Sequence, residues 1–361
     1  MGRHFVLINP PYDFSDSGLY VHANFTELSA FLIAYRWLIS SRSTNTTTIA
    51  ETMTIKFRDI DETTLALSPD TVISSFSPFV CNDQKSEGRI RRIIKIWFKT
   101  AKRVVRRLFG RKSSSSTRSK DVIKDEYEVT WSRGYAAYDL DVGCRKPEPW
   151  LVRGKGIMAD RSGVPRWRNL ILNAAIKSIK PRRVLEVGCG NGINLILLAN
   201  QFPDISFTGL ELTDAGNRVA RDLQNVATFP SALAAYPFIP ATDPEAFRRI
   251  NFVRGDATAM PFDDGEFDLV FTVLSIEQME RVRDKALAEI GRVSGGHVLN
   301  MEPFAEANSS LLRRAHVFGR DYFRGKIDDL SQYGLEPIWA TMDFPQEVQL
   351  GAALVLSHKS I

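Results

Sequence analysis

From about Pro165 onward, short apolar runs alternate with helical stretches. Residues 183–187, 206–210, 251–254, 267–273 and 297–301 read as five strands, and a helical segment at 167–179 precedes Pro181. Strands separated by helices predict a parallel sheet covered on both faces. Two later runs, 335–342 and 348–357, leave little room for a helix between them and predict an antiparallel hairpin that ends the sheet. Upstream the pattern changes. Ile90, Ile94, Trp97, Ala101, Val104, Val105 and Leu108 recur mostly at spacings of three and four, with Lys and Arg on the other face, which predicts an amphipathic helix over 89–109. Gly110 is a stop signal, and 111–120, with four consecutive serines, reads as a flexible linker. Residues 126–150 are rich in aromatics: Tyr127, Trp131, Tyr135, Tyr138 and Trp150. Near the N-terminus, a strand-like run at 5–8 meets the turn former Asn9-Pro10-Pro11, and a Thr/Ser-rich patch covers 40–48. The organisation expected is a region of unassigned fold (1–88), a basic helix and linker (89–120), an aromatic lid or connecting segment (121–164) and an α/β domain (165–361).

The 361 residues are 44% apolar and 25% charged, enough to bury a sizeable core, which excludes wholesale disorder. No apolar run reaches the ~20 residues of a bilayer-spanning helix; the stretch at 31–39 is too short and contains Arg36. The N-terminus lacks the ordered regions of a secretory signal. The net charge of +5 is unevenly spread. Residues 89–120 hold 13 Lys and Arg and no Asp or Glu; taking these from the 47 basic residues leaves 34 against 42 acidic ones. The bulk is therefore acidic, which argues against a general nucleic-acid binder. Cys81, Cys144 and Cys189 are too few and too far apart for a disulfide framework or a thiolate zinc site, so no metal and a reducing, cytoplasmic setting are expected.

The sharpest chemical signal is VLEVGCGNG at 184–192. An apolar strand carrying Glu186 runs into Gly188, Gly190 and Gly192, and Asn194 with 195–198 begins a helix. Such a turn brings bare backbone to a ligand at the carboxyl edge of a parallel sheet. A dinucleotide fingerprint would need glycine at 193, where this chain has Ile193, and no GxxxxGK[ST] phosphate loop is present. The second strand ends at Glu211, whose carboxylate can accept from two ribose hydroxyls. The third runs into Gly255-Asp256-Ala257, where Asp256 can accept from an exocyclic amine and the Ala257 N–H can donate to a ring nitrogen. Met260 and Phe262 are candidates to pack on the base.

With VLEVGCGNG, Glu211, GDATAMPF (255–262), FDLVFTVLSIEQM (267–279) and HVLNMEP (297–303), the sequence resembles the class I S-adenosylmethionine-dependent methyltransferases over roughly 165–361. The resemblance implies a Rossmann-like, doubly wound, mostly parallel seven-stranded sheet whose last strand is antiparallel. It implies S-adenosylmethionine as cofactor, its methionine end on Glu186, Gly188, Cys189, Gly190, Asn191 and Gly192, its ribose on Glu211 with Leu212 beside it, and its adenine on Asp256 and Ala257. Thr272 and Val273 would lie beside the cofactor. Family members acting on small molecules often carry a histidine near the position of Glu277; here the stretch is SIEQM. Glu277 is the first candidate for a base or acceptor-orienting group, with cofactor or solvent contact the alternative. Tyr135, Tyr138, Gln278 and Phe304 are candidate acceptor contacts, and Trp150 is a candidate cover for the cofactor. His297 reads as a packed core histidine, and His316 lies in a stretch where an acceptor lid can sit.

The function this implies is methyl transfer to a small-molecule, lipid-linked or glycan-linked acceptor. The alternatives are a nucleic-acid methyltransferase using the basic segment, or a non-catalytic protein retaining the cofactor fold. The helix at 89–109 can lie on an anionic membrane surface, contact nucleic acid, or be a solvated face.

Overall fold

The computed structural model describes residues 57–60, 65–81, 86–109 and 119–360. The strand-like run at 5–8, the Asn9-Pro10-Pro11 turn, the segments at 31–39 and 40–48, and nearly all of the serine-rich linker lie outside these. The described helices are α1 (Pro69–Phe76), α2 (Ser86–Phe109), α3 (Lys120–Trp131), α4 (Val164–Ile179), α5 (Ile193–Gln201), α6 (Asp214–Gln224), α7 (Ser231–Ala235), α8 (Arg283–Val293) and α9 (Leu311–Arg320). The strands are β1 (Pro147–Val152), β2 (Lys155–Asp160), β3 (Arg183–Val187), β4 (Ser206–Glu211), β5 (Asn251–Arg254), β6 (Phe267–Val273), β7 (Ser294–Glu302), β8 (Leu335–Thr341), β9 (Gln346–Glu347) and β10 (Ala353–Lys359).

Seven strands form the main sheet in the order β5-β4-β3-β6-β7-β10-β8. β3 pairs in parallel with β4 and β6, β4 with β5, and β6 with β7. β10 runs antiparallel to both β7 and β8. The chain leaves β3 toward β5 on one side and returns to β6 on the other, so the crevice at the carboxyl ends of β3 and β6 is the topological switch point. Strand side chains alternate between faces. Val184 belongs to the apolar cluster holding Trp167, Ile171, Leu195 and Ile196, whereas Leu185 and Val187 belong to the opposite cluster with Leu287 and Ile290. Glu186 therefore shares the face covered by α4. Pro165 fits the first turn of α4, and Lys180 closes that helix in a left-handed conformation before Pro181.

Three elements depart from the sequence reading. Residues 120–160 are not a loose connection: Lys120 opens α3, capped by Ser119, and β1–β2 form a hairpin to which β9 adds a third strand. α1 packs with Trp150 and Trp167 in the α4-side core, with Phe76 edge-to-face on Trp150 at 5.5 Å. Cys81 and Cys144 form a disulfide with Cα atoms 5.3 Å apart, although 63 residues separate them. Separation along the chain sets no bound on distance in the fold, so the spacing of the cysteines gives no ground for a reducing setting. Cys189 is free and buried.

The amphipathic reading of 89–109 agrees with α2, and the C-terminal part of its apolar stripe is packed. Ala101 and Val104 are buried, and Val104 packs with Ala315, Leu311 and Phe318 of the α9 region. Arg107 anchors the same seam through a 2.6 Å ion pair with Asp321. That part of the stripe is therefore occupied by α9, and the cationic face remains outward. No described helix is long and apolar enough to cross a membrane.

Candidate functional site

The turn after β3 is built from backbone that ordinary side chains rarely adopt. Gly188, Gly190 and Gly192 have φ of +75°, +58° and +76°. The Gly188 and Cys189 N–H groups donate to the Leu210 carbonyl at 2.8 and 3.0 Å, which ties the turn to β4. Glu186 is only 2% exposed. Asn194 Nδ2 donates to its Oε1 at 2.7 Å, while Oε2 is buried without a partner. Burial, with Glu211 nearby, pushes the Glu186 carboxyl up to about 8. Glu211, also buried, accepts from the Gly190 N–H at 2.8 Å and from the Thr213 N–H and hydroxyl at 2.9 and 2.5 Å. Burial raises its pKa against those hydrogen bonds. Leu212 follows it, half-buried, into the turn before α6.

Helix α3 lies across this edge. Lys120 Nζ is 2.6 Å from Asp256 Oδ2, and Lys124 is 3.5 Å from Asp214. The Glu128 carboxylate accepts the N–H groups of Asp214 and Ala215, both at 2.7 Å, and so caps α6 from outside. The Trp131 indole covers the bend itself: a Cβ placed on Gly190 would lie 2.5 Å from its ring. No residue of α3 is fully buried, and the ion pairs, the Glu128 cap and the Trp131 ring are among the contacts that hold it. Asp256 stays in its charged form: burial raises its pKa, but hydrogen bonds from Lys120 and Thr258 outweigh that. Ala257 is buried beside it, as is Met260, whereas Phe262 packs edge-to-face on Phe267. Tyr135 OH donates to the Asn191 carbonyl at 2.6 Å, and Asn191 Nδ2 donates to Tyr138 OH at 3.4 Å. Both tyrosines thus buttress the glycine turn.

The second wall of the crevice follows β6. Val273 is half-buried, and Leu274 takes φ +51°, a left-handed conformation unusual for leucine. The fully buried Glu302 at the end of β7 accepts the N–H groups of Ser275, Ile276 and Glu277 at 2.9, 3.1 and 2.9 Å and so fixes this loop. Burial moves its carboxyl up to about 7. Glu277 and Gln278 are both 6% exposed, and Gln278 Nε2 donates to Glu277 Oε1 at 2.6 Å. Arg161 lies nearby, paired with Glu347 at 2.7 Å and Glu148 at 3.3 Å.

Four expected placements are corrected. Thr272 is fully buried and its hydroxyl accepts from Asn300 Nδ2 at 2.9 Å, so it turns into the sheet. Phe304 is buried edge-to-face on Phe323 in the core opposite α4, away from the crevice. Trp150 is a core residue of β1. His316 is buried, and burial beside Arg320 and Arg103 lowers it to about 3, which keeps it neutral. His297 is half-buried against His358. The sequence reading missed Lys120, Glu128 and Glu302. Only Glu302 had a signal, as the acid that ends the HVLNMEP strand, and Trp131 stood among the aromatics without a role.

A doubly wound sheet with a glycine bend at its switch point, and with carboxylates toward the carboxyl ends of β3, β4 and β5, defines a Rossmann-like small-molecule site. Residues 185–299, about a third of the chain, match the family model described as a methyltransferase domain. A fatty-acid O-methyltransferase from Mycolicibacterium smegmatis is 34% identical over 128 residues, 35% of this chain and 39% of that protein. A phthiotriol/phenolphthiotriol dimycocerosates methyltransferase from Mycobacterium ulcerans is 33% identical over 33% of this chain and 36% of that one. Ajmaline N-methyltransferase from Rauvolfia serpentina is 30% identical over 32% of this chain and 33% of its own length. The chain thus spans well under half the length of each. Among solved structures, a SAM-dependent methyltransferase from Methanosarcina mazei superposes with a TM-score of 0.39 and 14% identity, covering 50% of this chain and 92% of that one.

Proposed function

We propose that this chain transfers a methyl group from S-adenosylmethionine to an apolar small-molecule or lipid-linked acceptor. The observation that carries this reading is the Glu186 Oε2 atom, buried without a donor beside a positive-φ glycine bend. A cationic amine is the complement such an atom needs. Glu186 and 188–192 are assigned to the methionine end, Glu211 to the ribose, and Asp256 with Ala257 to the adenine. The cofactor, when bound, supplies an electrophilic methyl on a sulfonium. The chain's task is then to hold an acceptor atom in line with it and to keep water out. Alignment alone can supply ~7–11 kcal/mol of barrier reduction in favourable cases. Glu277, held on the loop that Glu302 fixes, is the group assigned to orient the acceptor or take its proton. Relatives named for fatty-acid, phthiotriol and ajmaline methylation support an acceptor with a large apolar body. Calorimetric titration with S-adenosylhomocysteine, followed by incubation with isotope-labelled methyl donor and fractionated extract, tests the reading. Folded protein that takes up no cofactor rejects it.

A peripheral membrane contact is also proposed, on one observation. Arg91, Lys95, Lys99, Lys102 and Arg106 are exposed on α2 at spacings of three and four, with Arg92 beside them. Such a stripe gains about 1 kcal/mol per cation near an anionic bilayer. Sedimentation with phosphatidylserine vesicles, but not with phosphatidylcholine alone, is the expected result, weakened at high salt. Equal binding to both vesicle types counts against it.

A further inference from the structure

The chain that leaves α9 is tied to the loop carrying Glu277. The Phe323 N–H donates to the Glu277 carbonyl at 2.9 Å, the Arg324 N–H donates to the Glu280 carboxylate at 2.9 Å, and Arg281 pairs with Asp321 at 3.0 Å. Tyr322 thus lies next to the residue bonded to Glu277. Its ring is 6.0 Å from the His316 ring and 5.8 Å from the Arg320 guanidinium. His316 and Arg320 are four residues apart and share one face of α9. Arg103 of α2 comes up against the same turn: a Cβ placed on Gly319 would lie 3.2 Å from the Arg103 Cβ.

Three atoms able to donate are buried along these two helices without a partner: His316 Nδ1, Arg320 Nε and, one turn before Arg103 on α2, Thr100 Oγ1. His316 is 8% exposed and Thr100 1%. Arg103 and Arg320 are half-buried, and neither makes a described hydrogen bond or ion pair. The buried acid at hand is already taken: Asp321 pairs with Arg107 at 2.6 Å and with Arg281 and Arg324, and Glu280 holds Arg324 at 2.8 Å. Glu126 of α3, which also faces Arg103, is exposed. Buried donors without acceptors are costly, and a surplus of positive charge adds to that cost. Their complement is a group that only accepts and is itself negative. We infer that the seam between α2 and α9 binds an oxyanion, carboxylate or phosphate, carried by the methyl acceptor, with Arg103 and Arg320 as its ion-pairing groups and His316 and Thr100 as donors. A planar guanidinium suits either head because it can present two parallel N–H groups. The inference rests on the methyltransferase reading for the identity of the bound molecule. It deepens that reading by giving the acceptor an acidic head, held beside the loop that carries Glu277.

The test compares octanoate, octyl phosphate and 1-octanol, probes of one chain length that differ in their heads, with inorganic phosphate beside them. Calorimetry on the full chain saturated with S-adenosylhomocysteine is expected to show octanoate or octyl phosphate binding roughly 10- to 100-fold more tightly than octanol, the scale of charge-assisted hydrogen bonds. Which of the two acids is favoured tells a carboxylate head from a phosphate one. Arg320→Gln should lose the preference while its affinity for S-adenosylhomocysteine changes by less than about threefold. Arg320→Lys should keep part of the preference, and Arg103→Gln should weaken it. Three results overturn the inference: wild-type protein that favours neither acid over octanol, undiminished preference in both Arg320→Gln and Arg103→Gln, or inorganic phosphate bound as tightly as octyl phosphate, which would make the seam a site for the free anion. Folded wild-type protein that takes up no S-adenosylhomocysteine defeats the methyltransferase reading itself, a result distinct from loss of the preference for an acidic head in protein that still binds that ligand.

Discussion

Replacing Gly190 by alanine tests whether α3 is seated on the glycine bend. The residue sits at φ +58°, which costs alanine roughly 1–2 kcal/mol. The added methyl carbon would also lie 2.5, 2.8 and 2.9 Å from three ring atoms of Trp131, whereas ordinary contact begins near 3.4 Å, so the indole must retreat by about 0.9 Å. Because α3 buries none of its residues, the helix rather than the sheet gives way. Gly190→Ala should therefore speed amide exchange throughout Lys120–Trp131 while β3 and β4 stay protected. Trp131→Ala removes the obstacle, so in a double-mutant cycle followed by denaturant unfolding the pair should cost less than the two single changes together, by about 1 kcal/mol. Additivity within about 0.5 kcal/mol, or unchanged exchange in α3, refutes the placement of the ring on the bend.

Three further outcomes are expected. Glu186 and Glu302 carry folded pKa values of about 8 and 7 against an unfolded value of 4.5, so the folded chain holds more protons across that window. Their contribution is complete below pH 4.5 and is lost as pH rises toward 8, at up to about 1.4 kcal/mol per unit per group; Glu186→Gln should flatten the fall in chemical unfolding between pH 5 and 8.5. Glu302→Gln turns an amide NH2 toward backbone donors on the 275–277 loop and should cost about 1.5–3 kcal/mol in urea unfolding, whereas a neutral result would mean the loop is held otherwise. Cys81→Ser opens a 63-residue covalent loop and should cost about 4 kcal/mol by the chain-entropy relation, visible as a lower melting temperature that added reductant does not lower further.

The sheet was legible because its central strands β3, β4 and β6 are short, largely buried runs whose apolar character owes nothing to neighbours far along the chain. β3, β5 and β6 begin and end at 183–187, 251–254 and 267–273, where periodicity puts them. The glycine bend was legible for a similar reason: positive φ at three alternate positions leaves few other residue choices. What pairing decides was not legible. β1 and β2 carry Pro147, Pro149 and Gly156 and take strand geometry only by pairing with each other and with β9. α3 has no apolar seam for periodicity to detect, so Lys120 and Glu128 reach the site unannounced. Thr272 and Phe304 were misplaced because a residue near a strand end can face inward or outward, and sequence order does not say which.

The strand at 346–347 lies between β8 and β10 in sequence, yet it leaves the main sheet to pair with Trp150 and Leu151 of β1. Two distant parts of the polypeptide are thereby stitched together, and Phe344 stacks on Trp167 at 5.3 Å just before the stitch. A shortened chain beginning at residue 165 would discard β1 and β2, strip the stitch of its partner and bare an aromatic surface to solvent. Such a fragment should aggregate on expression, however complete its cofactor motifs.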